Sequence, residues 1–246
     1  MNTGAESARL PSSAVYALCV LPDGRLASGS AENAIQLWDV KTGTESARLE
    51  GHSSSVRALC VLPDGRLASG SEDSGTIRLW DMKTGDESDC LQGHYGSFTP
   101  LCVLPDGRLA SGSWGTIPLW DAKTGAESAR LEGHSGSVTA LCMLPDGRLA
   151  SSSGDNTIRL WDVKTGAESA RLERHSKWVT ALCVLPDGRL ASGSADNTIR
   201  LWDIAARREI ARLEVDGSIR SLAALLDGRL VAGDVNGRLH WLEIIT

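Results

Sequence analysis

Short apolar runs alternate with turn residues along the whole chain, and none carries the three-to-four-residue spacing of an amphipathic helix. The stretch 178–214 is the clearest instance. Trp178–Leu185 is a mostly apolar run that ends in Pro186, Asp187 and Gly188, a turn in which proline presets φ and glycine accepts a positive φ. Arg189–Ser194 predicts a second strand. Ala195, Asp196 and Asn197 then turn the chain into Thr198–Ile204, where Ile199, Leu201 and Asp203 alternate with Arg200 and Trp202. Glu209–Glu214 predicts a fourth, more polar strand, as suits the edge of a sheet.

This unit repeats. The segment LPDGRLASGS occurs unchanged at 21–30, 62–71, 104–113 and 185–194, with one change at 144–153 and in degraded form at 226–234. The glycine of its turn falls at 24, 65, 107, 147, 188 and 228, at intervals of 41, 42, 40, 41 and 40 residues. Trp-Asp pairs follow at 38–39, 80–81, 120–121, 161–162 and 202–203, and the register puts Leu242 and Glu243 in that place in the sixth unit, with Trp241 one position early. A four-stranded unit of this size cannot bury two faces alone, so the units must stack.

The Gly-His opening, the Pro-Asp-Gly turn, the Asp before the third strand and the Trp-Asp close resemble the WD-repeat family, over essentially the whole chain. The resemblance implies an all-β fold, a β-propeller of six four-stranded antiparallel blades. It also implies a structural hydrogen-bond network of Trp, strand Ser, His and turn Asp in each good blade. Carried over by position, that network is His52, Ser69, Asp73 and Trp80 in the second repeat, His134, Ser151, Asp155 and Trp161 in the fourth, and His175, Ser192, Asp196 and Trp202 in the fifth. An extra residue near Ser74 clouds the Asp of the second, and Arg174 replaces the usual glycine before the His of the fifth. The third keeps His94, Ser111 and Trp120, but Trp114 and Gly115 stand where the Asp turn belongs. The first keeps Ser28 and Trp38 with Glu32 for Asp and no His, and the sixth has none of the four.

Residues 3–10, TGAESARL, recur word for word at 124–131 and 165–172, where they fall on a fourth strand. The chain thus opens on a fourth strand and closes after a third. Residues 1–246 are expected to form a single domain in which strand 3–10 completes the blade formed by 217–246, removing two sheet edges. The alternative is a piece of a longer array, since seven blades are commoner in the family.

Composition narrows the function. The chain is 41% hydrophobic, with 31 acidic against 25 basic residues, and no basic stripe supports nucleic-acid binding. No apolar run approaches a membrane span, and residues 1–30 show no positively charged stretch followed by an apolar run. A cytoplasmic monomer with a protein or peptide partner, and with no nucleic acid and no membrane, is expected. Cys19, Cys60, Cys102, Cys142 and Cys183 occupy equivalent places in separate repeats, too far apart for the geometry of a disulfide; they are expected to be small buried apolar residues.

No catalytic motif is present, and four of the histidines fall one to a repeat, which does not suit a shared metal. Neither cofactor nor metal is expected, and no enzyme activity. The informative residues are those that depart from the repeat: Trp178, Trp114, Tyr16 and Tyr95, with Arg57, Glu72 and Arg220 at equivalent places. By the resemblance these surround the top mouth of a propeller channel, and Trp, Tyr and Arg are the types that dominate binding hot spots. Phe98 and Trp241 take Val and Leu positions and are expected in the core. Arg9, Arg48, Arg130, Arg171 and Arg212, each three residues after a Glu on an outer strand, are expected to form weak solvated pairs. The function that follows is a non-catalytic interaction scaffold; the runner-up is a sensor or regulatory propeller of a larger kinase or signal-transduction NTPase. If residues 3–10 complete the last blade, deleting residues 1–10 lowers the thermal midpoint sharply, and an unchanged midpoint removes the closure.

Overall fold

The computed structural model describes residues 14–72, 75–92 and 100–244. Every regular element among them is a β-strand. The chain divides into two compact units, 1–94 and 95–246. Residues 3–10, Asp73, His94, Tyr95 and Phe98 lie outside the described residues.

In the first unit, β1 (Val15–Val20), β2 (Leu26–Ser30), β3 (Ala34–Asp39) and β4 (Thr44–Glu50) form one antiparallel sheet in sequence order. A second follows from β5 (Val56–Val61), β6 (Leu67–Ser71), β7 (Ile77–Trp80) and β8 (Glu87–Leu91). The two stack through a core of Leu21, Ala27, Ile35, Leu37 and Leu49 against Val56, Leu67 and Trp80. In β4 only Leu49 is fully buried, as its polar sequence predicts for an edge.

The second unit begins with β9 (Leu101–Val103), β10 (Leu109–Ser111), β11 (Trp114–Trp120), β12 (Glu127–Met143), β13 (Leu149–Ser153), β14 (Thr157–Trp161) and β15 (Glu168–Glu173), joined in one seven-stranded sheet. Next come a four-stranded sheet of β16 (Val179–Val184), β17 (Leu190–Ser194), β18 (Thr198–Asp203) and β19 (Arg208–Glu214), and a three-stranded one of β20 (Ile219–Ala224), β21 (Leu230–Asp234) and β22 (Leu239–Leu242). The seven-stranded sheet is two repeats run together. The shortened turn of the third repeat lets β11 start early, so that Trp114 pairs with Ser137, and β12 serves first as an outer strand to β11 and then as an inner strand to β13. Gly115 makes the junction possible: its φ is +74°, and a methyl group there would lie 2.9 Å from the carbonyl oxygen of His134.

Register in the last sheet pairs Leu230 with Leu242, as Leu190 pairs with Trp202, so Leu242 does occupy the Trp-Asp place. Trp241 is not in the core, however, being 58% exposed with the Arg229 guanidinium 5.6 Å from its ring. The equivalent Leu37 and Leu160 lie in sheets with a fourth strand, whereas only three strands of the last sheet are described. Cys19, Cys60, Cys102, Cys142 and Cys183 form no disulfide among the described residues, and they are half-buried rather than buried. They sit on first strands, whose side chains are only partly covered, and burial still raises the thiol of Cys102 to about 11.

Close packing of sheets rests on the middle glycine of the Ser-Gly-Ser strand. A Cβ on Gly193 would meet Ile219 Cγ2 at 2.2 Å, and one on Gly29 would meet Val56 Cγ1 at 2.7 Å. In the fourth repeat Ser152 takes that place, and its hydroxyl lies 3.0 Å from Thr139 Oγ1. Gly193→Ala forces Ile219 to move, and overpacking of this kind costs about 1–3 kcal/mol; a denaturant midpoint that does not fall contradicts this packing.

Candidate functional site

The repeated polar residues meet around one serine oxygen in each of the first five repeats. In the fifth, Trp202 Nε1 donates to Ser192 Oγ at 2.8 Å, His175 Nε2 lies 2.7 Å from the same oxygen, and His175 Nδ1 lies 2.9 Å from Asp196 Oδ2. The fourth repeat matches it, with Trp161 to Ser151 at 2.8 Å, His134 to Ser151 at 2.8 Å and His134 to Asp155 at 2.7 Å. In the second, Trp80 and His52 both reach Ser69. The first and third repeats keep the indole-to-serine bond, from Trp38 to Ser28 and from Trp120 to Ser111.

One proton arrangement satisfies every member. Trp202 donates to the serine oxygen, the serine hydroxyl donates to Nε2, and a neutral His175 donates from Nδ1 to the carboxylate. Burial lowers the pKa of His175, outweighing the pull of Asp196. Burial alone would raise Asp196, but bonds from the Thr198 hydroxyl, the Ser176 N–H and His175 bring it down to about 2. Asp155 is likewise held below the ordinary carboxylate range by His134 and Thr157 against the cost of burial.

Two members were missed from the sequence. Thr157 and Thr198 donate their hydroxyls to Asp155 at 2.7 Å and to Asp196 at 2.6 Å. The recurring Asn-Thr-Ile after the turn was the available signal. Arg159 and Arg200 on the third strands are buried and pair with Glu168 and Glu209, so those glutamates do not serve the outer-strand arginines alone. Three of the expected outer-strand pairs are also present, Arg48 with Glu45, Arg130 with Glu127 and Arg171 with Glu168; Arg212 pairs with Glu214 rather than with Glu209, and Arg9 lies outside the described residues.

The departures from the repeat fall on two kinds of position. Tyr16, Arg57 and Arg220 are the extra residues of β-bulges in β1, β5 and β20, a device that re-aims a side chain. The fourth and fifth repeats carry Thr139 and Thr180 there, which bond the Val179 and Ile219 carbonyls of the next first strand. In the first unit the structure brings three candidates together: the Arg57 guanidinium lies 3.6 Å from the centre of the Tyr16 ring and its Nε donates to Glu72 at 3.0 Å.

In the second unit Trp178 and Trp114 are 49% and 65% exposed. The Trp178 indole lies flat against Gly154, where a methyl group would approach its Cε2 to 3.2 Å. Gly154 N–H in turn donates to the carbonyl of Ser137 at 2.9 Å, and Ser137 is the strand partner of Trp114. The two tryptophans therefore flank one strip of backbone that is poor in side chains. Arg220 is exposed.

Stacked four-stranded antiparallel units, each with a serine-centred network, define a repeat protein of β-sheets. Profiles of the family described as WD domain, G-beta repeat match residues 7–39, 43–81, 85–121, 125–162 and 166–203. The chain belongs to the WD40-repeat family, whose domains are generally non-catalytic scaffolds for protein interaction. Comparison with curated proteins returned no match. No helix among the described residues is long and apolar enough to cross a membrane.

Both His175 and Asp196 hold their protons less readily in the folded chain, so the stability they contribute is present above the unfolded values and is lost on acidification. Thermal midpoints should fall as pH drops below the ordinary histidine value of 6.5, and again as it drops from 3.8 toward 2. His175→Gln should flatten the first decline; an unchanged slope would show that this histidine does not set it.

Proposed function

We propose that the chain is a recognition platform that docks a protein or peptide segment on the side chains where its repeats differ. The observation that carries this is the pair of exposed tryptophans, Trp114 and Trp178, on either side of the Ser137 and Gly154 backbone. Large rigid aromatics exposed on either side of a narrow strip suit an extended segment, and Trp, Tyr and Arg are the residue types over-represented at binding hot spots. Tyr16 with Arg57 and Glu72, and Arg220, extend the reading to the other bulge positions. Tyr95 joins it on its sequence position alone.

The reading places these residues around the top mouth of a six-bladed ring in which strand 3–10 completes the blade of 217–246. The word-for-word recurrence of TGAESARL supports that closure, and the family supports the propeller. Affinity capture with wild type and with a Trp114→Ala/Trp178→Ala double variant tests the surface. A partner seated on it should bind the variant about 30-fold or more weakly, as expected for loss of about 2 kcal/mol at a hot spot. An identical captured set at equal affinity refutes the docking surface.

A further inference from the structure

A second surface, whose lining includes neither Trp114 nor Trp178, lies between outer strands β15 and β19. A cavity of about 590 Å³ opens there, with Arg171 and Arg174 on one wall, Arg207, Arg208 and Arg212 on the other, and the buried Arg200 behind them. Two carboxylates, Glu173 and Glu209, also line it. Six guanidiniums against two carboxylates leave a strong local positive charge on a chain whose net charge is −6.

Half of these arginines are departures from the repeat. Arg174 stands where the other repeats have Gly51, Gly93 and Gly133, and Arg207 where they have Gly43, Gly85, Gly125 and Gly166. Arg208 takes the place of Thr44, Asp86, Ala126 and Ala167. The lysine of the same turn becomes Ala205, so charge moves from that position to those that face the cavity. Arg207 holds φ +54°, in the left-handed region that the four glycines fill without strain. A strained non-glycine residue that also adds like charge is not explained by folding.

The three are also free. Arg171 pairs with Glu168 and Glu173, Arg200 with Glu209, and Arg212 with Glu214. Among the described residues no side-chain hydrogen bond or ion pair engages Arg174, Arg207 or Arg208. Unpaired guanidiniums spread along two walls match several carboxylates in a row better than one compact anion, and each fork can take a carboxylate through two parallel bonds.

We propose that this groove binds an acidic peptide segment, a run of Asp and Glu side chains, at a site separate from the tryptophan surface. The test is fluorescence anisotropy with a labelled oligoglutamate peptide on the full chain. Wild type should bind it, more weakly as salt rises. Arg174→Gly/Arg207→Gly restores the glycines of the other repeats, so folding is not threatened, and should weaken binding about tenfold. Arg48→Ala/Arg130→Ala removes the same charge elsewhere and should leave binding within about twofold, as should Trp114→Ala/Trp178→Ala. The proposal is overturned if wild type does not bind, or if either control pair weakens binding as much as the groove pair does. It is equally overturned if an oligouridine of the same length binds more tightly, or if inorganic phosphate at equal concentration displaces the peptide.

Discussion

The oxygen of Ser192 accepts a hydrogen bond from the Trp202 indole and donates its own to His175, and what lies around it depends on that double use. An indole N–H, a hydroxyl and an imidazole buried together are each costly if one lacks a partner. The chain of donors ends on Asp196, which also accepts from the Ser176 N–H and from Thr198. Because His175 and Ser176 lie between β15 and β16, the network does more than satisfy a core. It ties the passage from one sheet to the next against the sheet being entered, which sets where the following inner strand begins.

With those passages held, sheets can approach until a side chain intervenes. Gly29 and Gly193 mark how close that approach is, since no Cβ fits beneath Val56 or Ile219. The first strand of a sheet then has little freedom, and in β1, β5, β16 and β20 a bulge lifts one residue out of the ladder. Core positions are bound by this stacking and vary little among the repeats. Bulge and turn residues are not so bound, which is why Tyr16, Arg57 and Trp178 can differ without disturbing the sheets, whereas the shortened turn at Trp114 runs two of them together. Arg174, Arg207 and Arg208 show the same freedom on the outer side, at some cost in backbone strain for Arg207.

Much of this was legible beforehand. The strand boundaries of the fifth repeat fall within a residue or so of the expected ones, and the Trp, Ser, His and Asp of the fourth and fifth repeats meet as their positions implied. Such features follow from local spacing: a period of two along a strand, a turn that needs glycine, a partner at a fixed distance in the chain. Trp241 was placed in the core by its position, and it is exposed because burial depends on which strands lie beside it. Thr198 and Arg200 went unnoticed because nothing in a single strand says that its hydroxyl or guanidinium will find a carboxylate in the neighbouring turn or strand.

Local patterns repeated at 40–42 residues set the β-strand composition of this protein and the length of its repeat, and the family resemblance those patterns carry implies the Trp, Ser, His and Asp of its polar network. Only the tertiary structure decided which departures from that pattern share a surface. Trp114 and Trp178 are 64 residues apart in number and are linked through Ser137 and Gly154, and Arg174 shares a groove with Arg207. Neighbourhood of that kind is a property of how sheets stack and strands pair across repeats, and no spacing within one repeat encodes it.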